Sequence, residues 1–203
     1  MKERRNAQGA SISGAYPEPK DYQLEYLNTD TDTDTDTDMH SLVTSIAKNK
    51  KGKVLLFGPP GCGKTAFAHH LAKTSDRPLM VKRASDIISM GLGETETNLR
   101  NMFDEASRDD AILLLDEADS FLQDRRHAER SWELTQVNEL LTQMENFNGV
   151  FVCATNFMEH LDQAAMRRFS FKLKFDYLKP DQSELLFNNT LKKLGGAQPT
   201  ILV

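Results

Sequence analysis

A short apolar run, Val54-Leu55-Leu56-Phe57, passes directly into Gly58-Pro59-Pro60-Gly61-Cys62-Gly63-Lys64-Thr65-Ala66, and then into a stretch with Ala68, Leu71 and Ala72 at helical spacing. This matches G-x-x-x-x-G-K-[ST] placed between a strand and a helix, the context the pattern requires. It constrains the fold more than any other feature of the chain, because a strand must feed the loop and a helix must leave it. Glycines let backbone N–H groups turn inward around phosphate oxygens, and the helix N-terminus adds its partial positive charge. Lys64 is expected to reach the β and γ phosphates of a nucleotide, and the Thr65 hydroxyl to ligate Mg²⁺. Cys62 reads as the small side chain that such a loop tolerates, with no partner thiol for redox work.

The rest of the chain alternates strand and helix. Leu79-Met80-Val81, Ile112 to Leu115 and Val150 to Cys153 read as buried strands. Phe169, Phe171, Leu173 and Phe175 alternate with Ser170, Lys172 and Lys174 as a fifth. Helices are predicted over Thr95 to Ser107, with Leu99, Met102, Phe103 and Ala106 on one face, and after an N-cap at Ser131, burying Val137, Leu140, Leu141 and Met144. Pro180 suits the first turn of a last helix carrying Leu185, Leu186, Leu191 and Leu194, stopped by Gly195-Gly196. Such alternation implies a parallel sheet wrapped by helices, with ligands at the carboxyl ends of the strands.

Two of those strand ends carry chemistry. Ile112-Leu113-Leu114-Leu115 runs into Asp116-Glu117-Ala118-Asp119. Beside a phosphate loop, Asp116 would enter the Mg²⁺ shell. Glu117 would face the water that attacks the γ phosphate, and as its base would mark the protein as a hydrolase. Asn156, after Cys153-Ala154-Thr155, would hold the same water from a neighbouring strand. Arg167-Arg168, before the fifth strand, reads on its own as surface charge. His69 and His70 are adjacent on a helix, so they face different ways and do not form a metal site. Trp132 reads as a packing anchor, and the stretch around Arg125, Arg126, Glu129 and Arg130 as a solvated loop.

Composition narrows the class. The 39% hydrophobic and 27% charged content is that of a soluble globular chain. The longest apolar runs fall far short of the ~20 residues of a spanning helix, and no apolar stretch follows the charged N-terminus as a secretory signal would. The cysteines, Cys62 and Cys153, make no disulfide framework, so a cytoplasmic location is expected. Asp30, Asp32, Asp34, Asp36 and Asp38 account for the entire net charge of −5. With no basic excess, a nucleic-acid partner is not expected. The same aspartates alternate with threonine from Thr29 to Asp38 as a self-repelling run, expected to be a solvated loop and not a calcium site. The cluster of Tyr16, Tyr22, Leu24, Tyr26 and Leu27 ahead of it is available to pack on the domain.

Taken together, these residues resemble an AAA ATPase module of the AAA+ superfamily, in the clade of katanin, spastin and Cdc48-like proteins, from about Tyr22 to Gly195. The resemblance rests on Gly58 to Thr65, on Leu113-Leu114-Leu115-Asp116-Glu117-Ala118-Asp119-Ser120, and on Gly93 to Arg100 with Phe103-Asp104-Glu105-Ala106. Asn138 to Met144, Ala154-Thr155-Asn156 and Leu161 to Phe169 extend it. It implies a P-loop NTPase three-layer sandwich with a five-stranded parallel sheet and the start of a helical lid. The boundaries expected are a flexible segment over 1–38, the nucleotide-binding domain over 39–178, and a partial lid with tail over 179–203. It implies ATP as substrate with Mg²⁺, Asn156 as the sensor-1 residue, and Arg167 and Arg168 as arginine fingers reaching a neighbouring subunit's ATP. The active unit would be a ring, a hexamer, acting on a protein substrate or adaptor, with no membrane partner.

The family's central pore loop carries an aromatic residue. Here the matching segment is Ser89-Met90-Gly91-Leu92-Gly93, with Gly91 at that position. Met90 and Leu92 are left to offer apolar grip or to pack locally. Little of the lid and no sensor-2 residue is legible. Two other readings share the phosphate loop: a nucleotide-gated assembly module with little turnover, and a DNA-associated AAA+ ATPase.

Overall fold

The computed structural model of the chain describes residues 22–31, 39–89, 91, 93–122, 131–156 and 162–194. Alternating side chains in its central strands serve two different cores. The strands are β1 (Asn28–Thr31), β2 (Gly52–Phe57), β3 (Leu79–Arg83), β4 (Ile112–Asp116), β5 (Val150–Thr155) and β6 (Phe171–Asp176). They form one sheet in the order β1-β6-β2-β5-β4-β3. The helices are α1 (Met39–Asn49), α2 (Lys64–Thr74), α3 (Ala84–Ile87), α4 (Glu94–Arg108), α5 (Asp119–Leu122), α6 (Ser131–Asn146), α7 (Gln163–Met166) and α8 (Pro180–Lys193).

Leu55 and Phe57 of β2, Leu113 and Leu115 of β4, and Phe151 and Cys153 of β5 point to one face, where α4 and α6 cover them. Val54 and Leu56, Ile112 and Leu114, and Val150 and Val152 point to the other, against α1 and α2. A strand buried on both faces reads as a continuous apolar run, which is why β2, β4 and β5 are conspicuous in the sequence. The parallel pairs β2–β5, β5–β4, β4–β3 and β2–β6 follow from helical crossovers.

Among the described residues the sheet has six strands, not the five expected, and the additional one is antiparallel. β1 lies on β6 with Thr29 across from Phe175. Its sequence has no apolar alternation. Its order comes from pairing backbone groups along an edge of β6 that would otherwise stand open. The Asn28 amide adds a bond to Tyr177 O at 2.8 Å. Residues 28–31, read as linker, therefore belong to the α/β body. So do Leu24 and Tyr26 just ahead of them, both buried. Leu27 O accepts from Gln182 Nε2 at 2.8 Å and Tyr26 Oη from Asn189 Nδ2 at 2.7 Å, so this strap also ties down α8.

The α8 helix starts at Pro180, as its sequence predicts, but no residue of it is buried, and Leu185, Leu186 and Phe187 are exposed. The fifth strand expected from Phe169 begins at Phe171; Phe169 is buried ahead of it. The stretch containing Arg125, Arg126, Glu129 and Arg130 and the side chain of Trp132 lie outside the described residues.

Phe67 of α2 is fully buried, its ring edge-on to Phe175 of β6 with centroids 5.9 Å apart. It joins the helix that leaves the phosphate loop to the sheet beneath. Phe67→Ala should lower the unfolding free energy by about 3–5 kcal/mol. Urea titration followed by circular dichroism measures this. A loss under ~1 kcal/mol, typical of a surface change, would mean that the contact is not part of the core.

Candidate active site

The loop after β2 is built around glycines that no other residue can replace without strain. Gly58, Gly61 and Gly63 have φ of 137°, 79° and 94°. At Gly58 a Cβ would also stand 2.0 Å from Phe175 O, so the strand below closes on the loop. Gly63 precedes the first turn of α2, and Leu27 of the N-terminal strap packs close to it, its Cδ2 3.2 Å from where a Cβ would be.

Lys64 opens α2 and turns back across the loop. Its ammonium donates to Gly58 O at 2.7 Å, Pro59 O at 2.8 Å and Asn156 Oδ1 at 2.8 Å. These three bonds use the three donors of an ammonium group. Since Lys has no acceptor, the amide atom facing it must be the oxygen, and Nδ2 is the remaining donor of Asn156. Burial pushes the Lys64 pKa down, and the nearby thiol and carboxylates of Cys62, Asp116 and Asp119 oppose that shift.

Thr65 Oγ1 donates to Asp116 Oδ2 at 2.8 Å, and the Glu117 N–H to Asp116 Oδ1 at 2.9 Å. Asp116 is buried at the end of β4. Glu117 then adopts φ of 54°, left-handed backbone that is uncommon outside glycine. That turn takes the chain off the strand and leaves the Glu117 side chain exposed on the wall of a cavity. The cavity measures about 460 Å³, and Lys64, Thr65, Asp116, Glu117 and Asn156 line it together with the glycine loop. Five side chains from three separate segments thus meet at one edge of the sheet.

Two hard oxygens held together at Thr65 and Asp116 suit Mg²⁺, which takes one or two protein oxygens and completes its shell with phosphate and water. Among the described residues no group of three or more His, Cys, Asp or Glu is placed to hold a metal, so a cage of protein ligands alone is not formed. Nor, among them, is any helix long and apolar enough to cross a membrane.

The structure does not bring Arg167 and Arg168 to this cavity. Ser170 N donates to Lys53 O at 2.9 Å, which places the arginines beside the start of β2, whereas the loop leaves its end. At ~3.3 Å per residue the two ends of the strand are roughly 16 Å apart. Arg167 is exposed. Arg168 is ion-paired through Nε to Glu145 and donates through Nη1 to Ala164 O at 2.8 Å. Cys62 does not line the cavity: its side chain packs on the α1/α2 core and burial pushes its thiol pKa up. Gly91 folds against Glu94, while Met90 and Leu92 lie outside the described residues.

Sequence reading assigned nothing to Asp119 and looked at His69 only as a metal ligand. His69 is on the cavity wall, and His70 turns away to Tyr22, with ring centroids 5.2 Å apart. Asp119 accepts from the Thr155 hydroxyl and from Asn156 N at 3.1 Å. The available signal was its place three residues after Asp116, opposite a strand that ends in Thr155 and is followed by Asn156.

Comparison with known proteins adds to this geometry. Residues 54–177 match the family model described as ATPase family associated with various cellular activities (AAA). The chain is 36% identical over 151 residues to nuclear valosin-containing protein-like of Mus musculus, covering 70% of this chain and 18% of that protein. It is 39% identical over 129 residues to an uncharacterised AAA family ATPase of Sinorhizobium fredii, covering 62% of this chain and 39% of that protein. It is 32% identical over 167 residues to spastin of Drosophila melanogaster, covering 78% of this chain and 22% of that protein. The chain thus spans well under half the length of each of these relatives.

The glycines separate steric from conformational demand. Gly58→Ala meets backbone and should cost more than the roughly 1–3 kcal/mol of a strained dihedral alone. Gly61→Ala has nothing within 4 Å of the new Cβ and should cost only that strain. Thermal melts of both variants test this, and equal melting points would contradict the close approach at Gly58.

Proposed function

Because the chain belongs to the AAA family of ATPases, we propose that it binds ATP with Mg²⁺, hydrolyses it, and does so as one subunit of a ring, a hexamer, that acts on protein partners. The observation that carries the reading is the meeting of Lys64, Thr65, Asp116, Glu117 and Asn156 around one cavity. N–H groups of the glycine loop and the N-terminus of α2 would receive the phosphates, and Lys64 would exchange a loop or Asn156 oxygen for phosphate oxygens. Thr65 and Asp116 would hold Mg²⁺, which when bound neutralises charge on the phosphates. Glu117, exposed on the wall, would accept the proton of the attacking water. The oxygen of that water bonds to the γ phosphorus, the bond to the β-phosphate oxygen breaks, and ADP leaves. Asn156 would orient the water or the γ phosphate through Nδ2.

The ring supplies what the single chain does not place at its own cavity. A guanidinium can donate to two oxygens at once, which suits a transition state with charge spread over the γ phosphate. Arg167 and Arg168, at the far end of the sheet from their own loop, would act on a neighbour's site.

Glu117→Gln should bind ATP like the parent and hydrolyse it ~10²–10⁴-fold more slowly, the usual contribution of a general base. Arg168→Ala should also bind normally and lose turnover, by as much as ~10³–10⁵-fold where a finger carries the full effect. Mixing the two inactive proteins should restore part of the activity, because some interfaces then pair an intact Glu117 with an intact Arg168. Absence of recovery despite co-assembly in light scattering would exclude action between subunits. Parental turnover by Glu117→Gln would remove Glu117 from the mechanism.

A further inference from the structure

Asp119 opens α5, three residues after the acid that faces Thr65. One of its oxygens, Oδ1, accepts from two consecutive residues at once: the Thr155 hydroxyl and, at 3.1 Å, the backbone N–H of Asn156. Thr155 is the last residue of β5 and is 1% exposed. Beside it, Ala118 N donates to Ala154 O at 2.9 Å, so the turn after β4 is stitched to the end of β5 by backbone and side chain together. Asn156 is the first residue off the strand, and its amide oxygen lies 2.8 Å from Lys64 Nζ. A residue just past a strand end has lost its ladder partners, and its backbone dihedrals are fixed only by what else bonds it. Here its N–H is held by the same carboxylate oxygen that holds the Thr155 hydroxyl.

We propose that Asp119 is a positioning residue for hydrolysis: by gripping Thr155 and the Asn156 N–H with one oxygen, it fixes the backbone from which the Asn156 amide reaches Lys64 and the γ-phosphate position. The proposal rests on the reading above that Asn156 acts in turnover. Asp119 touches no reacting atom. It acts through the direction in which Asn156 leaves the sheet, and a misplacement of about 1 Å is enough to cost ~10²-fold in rate. Its charge also lies near Lys64, where it opposes the effect of burial. The experiment therefore has to separate an acceptor from a charge.

Three variants do so. Asp119→Ala removes acceptor and charge, Asp119→Asn keeps an oxygen acceptor without the charge, and Thr155→Val removes one donor and leaves the charge. Steady-state ATPase assays give kcat and KM, and a fluorescent ATP analogue gives Kd. Asp119→Ala should lower kcat roughly 10- to 100-fold, the range for loss of an outer-shell partner, with Kd within about threefold of the parent. Asp119→Asn should recover most of that loss, and Thr155→Val should fall between. In parallel, ¹⁵N-asparagine labelling should show the Asn156 backbone amide downfield and slow to exchange in the parent, and shifted upfield with fast exchange in Asp119→Ala. An Asn156→Ala sample assigns the signal. This spectrum does not depend on turnover. If the parent hydrolyses no ATP, the hydrolase reading falls while the Asn156 amide still reports whether Asp119 holds it. If Asp119→Ala does not fold, Asp119→Asn and Thr155→Val carry the same comparison. The proposal is overturned if Asp119→Asn is as slow as Asp119→Ala, which would make charge the cause. It is overturned as well if the Asn156 amide is unchanged on loss of the carboxylate, or if Kd rises in step with the fall in kcat, which would make the loss one of ATP binding.

Discussion

Three parallel strands that end within one residue of one another set the position of everything at the cavity. Phe57 lies across from Thr155, and Leu115 from Cys153, so β2, β5 and β4 release the chain along one edge. The next residues are Gly58, Asn156 and Glu117. A slip of one residue would turn each strand's side chains to the opposite face and send Asp116 away from Thr65. Burial on both faces forbids the slip, because the alternate side chains of each strand fill two different cores. The apolar packing thus sets the distances among polar groups that make no apolar contact themselves.

Lys64 is the polar counterpart of that packing. A cation that is only 7% exposed needs compensation, and it finds three oxygens, two from the loop itself and one from Asn156. The same contacts tie the loop after β2 to the end of β5. Asp116 links Thr65 to the turn after β4, and Asp119 links that turn back to β5. The polar layer is a closed circuit over the ends of the strands, so a change at any member is felt by the others.

Which parts of this were legible follows from how local each determinant is. The glycine loop, its strand and its helix are contiguous, and their residue types are dictated by backbone geometry at Gly58, Gly61 and Gly63. β4 and β5 announce themselves as apolar runs, and the polar residues after them stand out for that reason. β1 was not legible, since Asn28–Thr31 is ordered by the edge of β6 more than a hundred residues later and has no pattern of its own. α1 was missed because Leu42, Val43 and Ile46 follow an acidic repeat that dominates the window. Asp119 was missed because its partners, Thr155 and Asn156, lie 36 and 37 residues away. Its own motif explains an acid there equally well as the start of a helix. The pairing of Arg168 with Glu145 is a contact between α6 and the turn after α7, and no spacing in the sequence encodes it.

The charge on the cavity wall bears on why assembly would matter under the proposed function. Among its lining side chains, Lys64 carries the ammonium group while Asp116 and Glu117 are acids. A triphosphate entering this wall meets positive potential from backbone N–H groups, the start of α2 and Lys64, with the acids arguing against further negative charge. Under the proposed function Lys64 and Mg²⁺ at Thr65 and Asp116 would offset charge on the phosphates, and a further cation would have to come from another chain, because Arg168 of the same chain is a strand's length away. Its pairing with Glu145 does not disqualify it for a neighbour. The pair is part-exposed, with 35% and 51% of the two side chains accessible, and such pairs contribute at most about 1 kcal/mol. A guanidinium has five N–H donors in a fixed fork. Nε on Glu145 and one N–H of Nη1 on Ala164 O use two of them, so these contacts orient the side chain before a partner arrives and leave donors over. The ordering entropy of a long, flexible side chain is then already spent in the separate subunit, and less of it opposes the contact that the ring would make.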